Sequence, residues 1–127
     1  MPLPRGVALV RLAAMVLAAA AVGRCGSPPA AADPREGRTL YTINGCPACH
    51  GNDGGGDGPL AEVSSPRPRD FHQPGRFATP REVERIAEVI ASGVAAMPTP
   101  MPSYAHLSET NRRHLAAYVL SLGQDAR

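Results

Sequence analysis

Two cysteines and a histidine fall within five residues, Cys46, Cys49 and His50 of the run CPACH. The spacing C-x-x-C-H admits three chemistries. Thiols three apart can form a redox-active pair or half of a zinc site. They can also add to the two vinyl groups on one edge of a haem to give thioethers, the adjacent histidine then lying beneath the ring with an imidazole nitrogen toward iron. A thioredoxin-like pair needs a preceding strand and a βαβ context, and structural zinc needs two more ligands at similar spacing. The sequence offers neither, so haem attachment is the reading the pattern supports.

Three segments with helix punctuation must hold this site in place. The first opens DPREGRTLYTIN, with Asp33 as N-cap, Pro34 at the first helical position and Glu36 completing a capping box. It predicts a helix from about Pro34 to Asn44, with Gly37, Leu40 and Tyr41 on one face. The second, TPREVERIAEVIASG, has Thr79 as cap, Pro80 next and Glu82 reaching back. Val83, Ile86, Ala87 and Ile90 follow at helical spacing, and Gly93 is the stop. The third is capped by Ser108, carries the apolar stripe Leu115, Tyr118, Val119 and Leu122, and ends at Gly123. Between the first two lies a long stretch rich in Gly and Pro, including GNDGGGDGP, without strand-like alternation or repeats. Loops of that length usually wrap something, and the consistent class is all-α. The glycines read as tight turns that bring backbone close to a porphyrin, or alternatively as a flexible surface loop for Gly54 to Gly56. No strand feeds them, so a phosphate-binding loop is excluded.

Composition separates a leader from the folded part. Arg5 and Arg11 precede the apolar run LAAMVLAAAAVG, and small residues follow up to PAAAD. That run is shorter than the roughly 20 residues a bilayer span needs, so the pattern predicts an export signal over 1–32, cut after Ala32. The alternative is lipidation at Cys25, although Arg24 stands where a lipoprotein signal wants a small residue. The predicted domain is 33–127. It contains ten arginines, no lysine and eleven acidic residues, a net charge of −1 with His neutral; the whole-chain +2 comes from the leader. No basic face for nucleic acid is expected. The domain has no Trp, two Phe and three Tyr, and burial at its size is marginal, so a large flat cofactor filling the core is expected.

On these residues the region resembles a bacterial monohaem cytochrome c of the small soluble type. The resemblance rests on the helix leading into GCPACHG, the GDGP loop, the RPRDF stretch, the helix before GVAAMPTPMPSY and the final LAAYVLSL. It implies three main helices wrapped around one covalent haem c, with Gly37 letting Tyr118 cross closely. It also implies a second axial ligand from a methionine followed by proline. Met101 is favoured and Met97 is the runner-up, each in a proline-stiffened segment. His72, His106 and His114 are expected at the surface, His114 solvated. The second ring nitrogen of His50 needs an acceptor, assigned to Pro59, with Pro66 or Pro68 as alternatives. Arg67, Arg69 and Arg76 are candidates for the propionates.

The resulting expectation is a monomeric periplasmic electron carrier, not an enzyme, passing single electrons between a redox donor and an acceptor. It is either soluble or a haem subunit of a larger complex, with membrane association through a lipid or that complex. The alternative is a haem enzyme or gas sensor with five-coordinate iron, which requires that neither methionine binds and leaves His72 as the candidate side chain over the open face.

Overall fold

The computed structural model describes residues 31–73, 82–95 and 100–124. Cys25 and the apolar leader, Arg76, Thr79, Pro80 and Met97 lie outside the described residues. Four helices follow in order: α1 (Pro34–Ile43), the single turn α2 (Pro47–His50), α3 (Val83–Ser92) and α4 (Glu109–Leu122). No described helix is long and apolar enough to cross a membrane.

Helix α1 starts where the sequence places it, but its cap is half of the expected box. The Asp33 carboxylate accepts from the Arg35 N–H at 2.8 Å, a bond that holds this carboxyl below the usual range. The reciprocal half is supplied from across the fold. The Asp33 N–H donates to Nδ1 of His114 at 2.8 Å, so His114 is a half-buried tether between α1 and α4, not a solvated side chain. Helix α3 begins one residue after Glu82, whose side chain makes no cap bond. Glu82 is itself the cap residue, and the third helical position, where a capping box needs an acid, is Arg85. Gly93 ends the helix at φ +70°, as the stop signal requires. Ser108 caps α4 by accepting from Asn111 N–H.

The helices bury the predicted stripes against one another, α4 packing on both α1 and α3. The core comprises Tyr41 of α1, Ile86, Ala87 and Ile90 of α3, Leu115, Ala116, Tyr118 and Val119 of α4, and Phe71 from the long loop. Gly37 is where α1 and α4 cross. A Cβ there would overlap the His114 carbonyl oxygen and lie 2.7 Å from Cβ of Tyr118. The Tyr41 and Tyr118 rings meet edge to face beside this crossing, with centroids 5.2 Å apart.

Candidate haem site

The attachment turn is built by hydrogen bonds on both of its flanks. Gly45, at φ +75°, turns the chain out of α1. The Cys46 N–H then bonds back to the Tyr41 carbonyl at 3.2 Å. Pro47 opens the turn, and the His50 N–H closes it on the Cys46 carbonyl at 3.0 Å. Cys46, Cys49 and His50 thereby leave one turn of helix, each half-buried, with both thiols free. Burial pushes the Cys46 thiol up to about 11, against hydrogen bonds from its own backbone and Tyr104 that lower it. A reactive dithiol needs a lowered thiol, and burial at Cys46 works in the opposite direction. Among the described residues no three His, Cys, Asp or Glu side chains converge to hold a metal ion.

The loop after His50 folds back to clamp the turn. Gly56 N–H bonds to the His50 carbonyl at 2.8 Å, Gly58 N–H to Cys49 at 3.1 Å, and Leu60 N–H to Ala48 at 2.8 Å. The glycines are structural here. Gly54 sits at φ +77°, and a Cβ on it would lie 2.9 Å from the Phe71 ring. Gly56 sits at φ +74°, with the Pro68 carbonyl 2.6 Å from the place of its Cβ. Both are buried, so they bring the loop against the 68–71 segment and are not a flexible surface.

That segment orients the histidine. Nδ1 of His50 lies 3.2 Å from the Arg69 carbonyl oxygen, and its ring stacks on Phe71 at a centroid distance of 4.6 Å and 20° between planes. Pro59, expected to supply the acceptor, is exposed; the acceptor is one residue beyond the alternative Pro68. The reason is the fold-back, since the Phe71 N–H donates to the Gly54 carbonyl at 2.8 Å and brings the Arg69 carbonyl to the ring's Nδ1. Burial lowers the His50 basicity, only partly offset by the Arg69 carbonyl. The imidazole is therefore held neutral, Nδ1–H toward Arg69 and Nε2 available as a lone-pair donor.

On the other side Met101 is carried by backbone already fixed. It exchanges two hydrogen bonds with Val94, both 3.0 Å, and its half-buried side chain packs on the core. The Tyr104 N–H bonds to the Ile90 carbonyl at 3.0 Å, and the Tyr104 hydroxyl donates to Asn44 at 3.2 Å. Tyr104 thus ties the Met101 segment to the end of α1 beside Cys46. The side chains of Arg67 and Arg69 are exposed. His72 is engaged with Asp70, Nδ1 to Oδ1 at 2.9 Å, and His106 is exposed near the Tyr104 ring. Phe71 and Tyr104 are the positioning residues that spacing did not single out; the sole signal was their place in the RPRDF and TPMPSY runs.

The donor set fits a covalent haem. Two unpaired thiols and a neutral imidazole share one turn, and among the described residues no large side chain is completely buried, as expected of a core that a flat cofactor completes.

Comparison with known proteins agrees. The family model described as Cytochrome c matches residues 34–123. Among solved structures, a chain of the Kuenenia stuttgartiensis reducing HAO-like protein complex Kustc0457/Kustc0458 superposes with a TM-score of 0.59 at 30% identity, covering 68% of this chain. The present chain spans 41% of that one. None of the curated proteins matches. The chain therefore belongs to the cytochrome c family and carries a covalently bound haem c, for which Cys46 and Cys49 are the fitting attachment residues.

Proposed function

We propose that the protein is an exported, periplasmic one-electron carrier in which His50 and Met101 would hold the haem iron, acting alone or as a haem subunit of a larger redox complex. The observation that carries this reading is that both proposed ligand residues are already held by hydrogen bonds: His50 by its ring Nδ1 to the Arg69 carbonyl, Met101 by its backbone to Val94. Such sites need little reorganisation when charge changes. The bound haem supplies a centre that gains and loses one electron; the chain's task is to hold that centre and fill its open positions. His50 contributes a neutral nitrogen of fixed tautomer. Met101 contributes a soft thioether that favours the reduced state and raises the potential. With both positions filled no substrate reaches iron, and His72, the side chain offered for an open-face role, is bound to Asp70. Kinship with a chain of a multi-protein complex supports the subunit alternative. The leader supports export, by cleavage after Ala32 or lipidation at Cys25.

The test is optical. Oxidised haem-loaded protein should show the weak sulfur-to-iron charge-transfer band at the red end of the visible spectrum, and the reduced protein should resist carbon monoxide. Met101→Ala should lose the band and bind the gas, while Met97→Ala should do neither. A band that survives Met101→Ala and vanishes in Met97→Ala would move the ligand; no band in the native protein, with rapid gas binding, would favour an enzyme or sensor. Intact mass of the exported protein reads the cleavage site and any lipid.

A further inference from the structure

The near-neutral charge of the domain conceals a segregated distribution. From Thr39 to Pro66 the chain has no Lys or Arg, and apart from His50 its titrating charges are Asp53, Asp57 and Glu62. All three carboxylates are exposed, and none forms an ion pair with a described residue. Several arginines lie elsewhere beside acids of their own, Arg35 with Asp33, Arg85 with Glu88 and Arg113 with Glu84.

A groove of about 330 Å³ runs along the haem-attachment turn. Pro47 and Ala48, the two residues between the cysteines, line it together with Asn52, Asp53, Asp57 and Pro59. Leu60, tied to Ala48 by its N–H, is 46% exposed next to Pro59. The surface beside the two residues between the cysteines therefore carries Asp53 and Asp57 with no Lys or Arg among its lining residues; the loop's own cations, Arg67 and Arg69, come after Pro66.

We propose that this groove is the docking face for the basic surface of a redox partner protein, whose Lys and Arg side chains meet Asp53, Asp57 and Glu62 around the contact with Pro47, Ala48 and Leu60. The inference rests on the electron-carrier reading above and adds the charge of the partner. Complementary charge at the point of electron exit raises the encounter rate without demanding a large interface, which suits a partner that must leave again. A partner with an acidic face would be repelled by the same rim.

The test uses reduced, haem-loaded protein and two outer-sphere oxidants of opposite charge, tris(phenanthroline)cobalt(III) and hexacyanoferrate(III). Each takes one electron from ferrous haem, leaving ferric haem and the reduced complex. The cobalt rate should fall as ionic strength rises and the hexacyanoferrate rate should increase. The triple variant Asp53→Asn, Asp57→Asn, Glu62→Gln should flatten both slopes and slow the cobalt reaction at low salt by about 5-fold or more. An oligolysine peptide should slow the cobalt reaction of native protein and leave the variant unaffected. Asp53→Lys combined with Glu62→Lys retains Asp57, which lies against the Gly51 backbone, and should invert the two slopes. Slopes that are flat in the native protein, or unchanged in both variants, overturn the acidic docking face while leaving the carrier reading intact. Slow exchange with both oxidants at every ionic strength would instead remove the carrier reading itself. Slowing by added calcium at constant ionic strength would assign the carboxylates to a bound cation and overturn the proposal.

Discussion

Replacing Gly37 with alanine should destabilise the protein by about 2 kcal/mol, although the same change in an unobstructed helix stabilises by about 1 kcal/mol. The new Cβ would lie 2.7 Å from both the His114 carbonyl carbon and Cβ of Tyr118, where ordinary contact begins at 3.4 Å. The helices must part by at least the difference, about 0.7 Å, because the nearest obstacle is backbone. A gap of that size forfeits a quarter to a half of the contact energy between facing atoms. Tyr41 and Tyr118 meet there and Leu115 belongs to the same core cluster, each worth roughly 1.5–3 kcal/mol when buried. The loss is then about 3 kcal/mol, and the gain in helix propensity returns about 1. For a domain of this size that is a large share of total stability. Urea unfolding of haem-loaded protein, followed by far-ultraviolet circular dichroism, measures the difference. Adding Tyr118→Ala should not rescue the variant, since the His114 carbonyl remains in the way. A Gly37→Ala protein more stable than native, or one rescued by truncating Tyr118, would refute the close-crossing argument.

Tyr41→Phe removes a buried hydroxyl that donates to the Gly51 carbonyl at 2.7 Å; leaving that acceptor without its donor should cost about 1–3 kcal/mol in urea unfolding, with little change in the visible spectrum. Gly93→Ala places a Cβ at φ +70° within 2.8 Å of the Pro102 carbonyl carbon. It should lose roughly 1–2 kcal/mol from the left-handed backbone alone and, by displacing Met101, weaken the sulfur-to-iron band more than Tyr41→Phe does. The carboxyl of Asp70 is raised by desolvation, but hydrogen bonds from the His72 N–H and ring and from the Gln73 amide outweigh this and hold it below 3.8. Its stabilising contribution is therefore complete above about 3.8 and lost as pH falls through its lower folded value. Asp70→Asn should flatten that part of the acid-unfolding curve, and an unchanged curve would show that the turn carrying Arg69 does not depend on this carboxylate.

Much of this architecture was legible from local rules. Proline after a capping residue marked the start of α1, serine marked α4, and apolar spacing gave the faces that became the core, because those signals act within one or two turns. The close crossing at Gly37 was legible through the resemblance. What local rules could not show were contacts made across the chain. The Asp33 N–H found His114 instead of Glu36, so a box complete in sequence is open in structure. The acceptor for His50 came from Arg69 and not Pro59, because the choice depends on Phe71 pairing with Gly54, nineteen or so residues from the histidine. The glycine run was ambiguous for the same reason: only the packed partners, Phe71 and the 68–70 backbone, decide between a free loop and a clamp.

The same contacts explain how one small domain can hold the two residues proposed as ligands, which come from distant parts of the chain. The His50 side depends on a loop whose donors return to the attachment turn, Gly56 to His50, Gly58 to Cys49 and Leu60 to Ala48. The Met101 side hangs from α3, through Val94 and through Tyr104 to Ile90. Within the described residues, one side-chain bond joins the Met101 segment directly to the end of α1: Tyr104 Oη to the Asn44 carbonyl, beside the turn that bears Cys46. The Tyr104 side chain also hydrogen-bonds Cys46 itself, and helix packing adds to these ties, with α4 against both α1 and α3. A cofactor bonded to the first half and, as proposed, ligated by the second would bridge the two directly. Such a bridge would supply the buried contact that this aromatic-poor domain, with no completely buried large side chain among its described residues, does not make by itself.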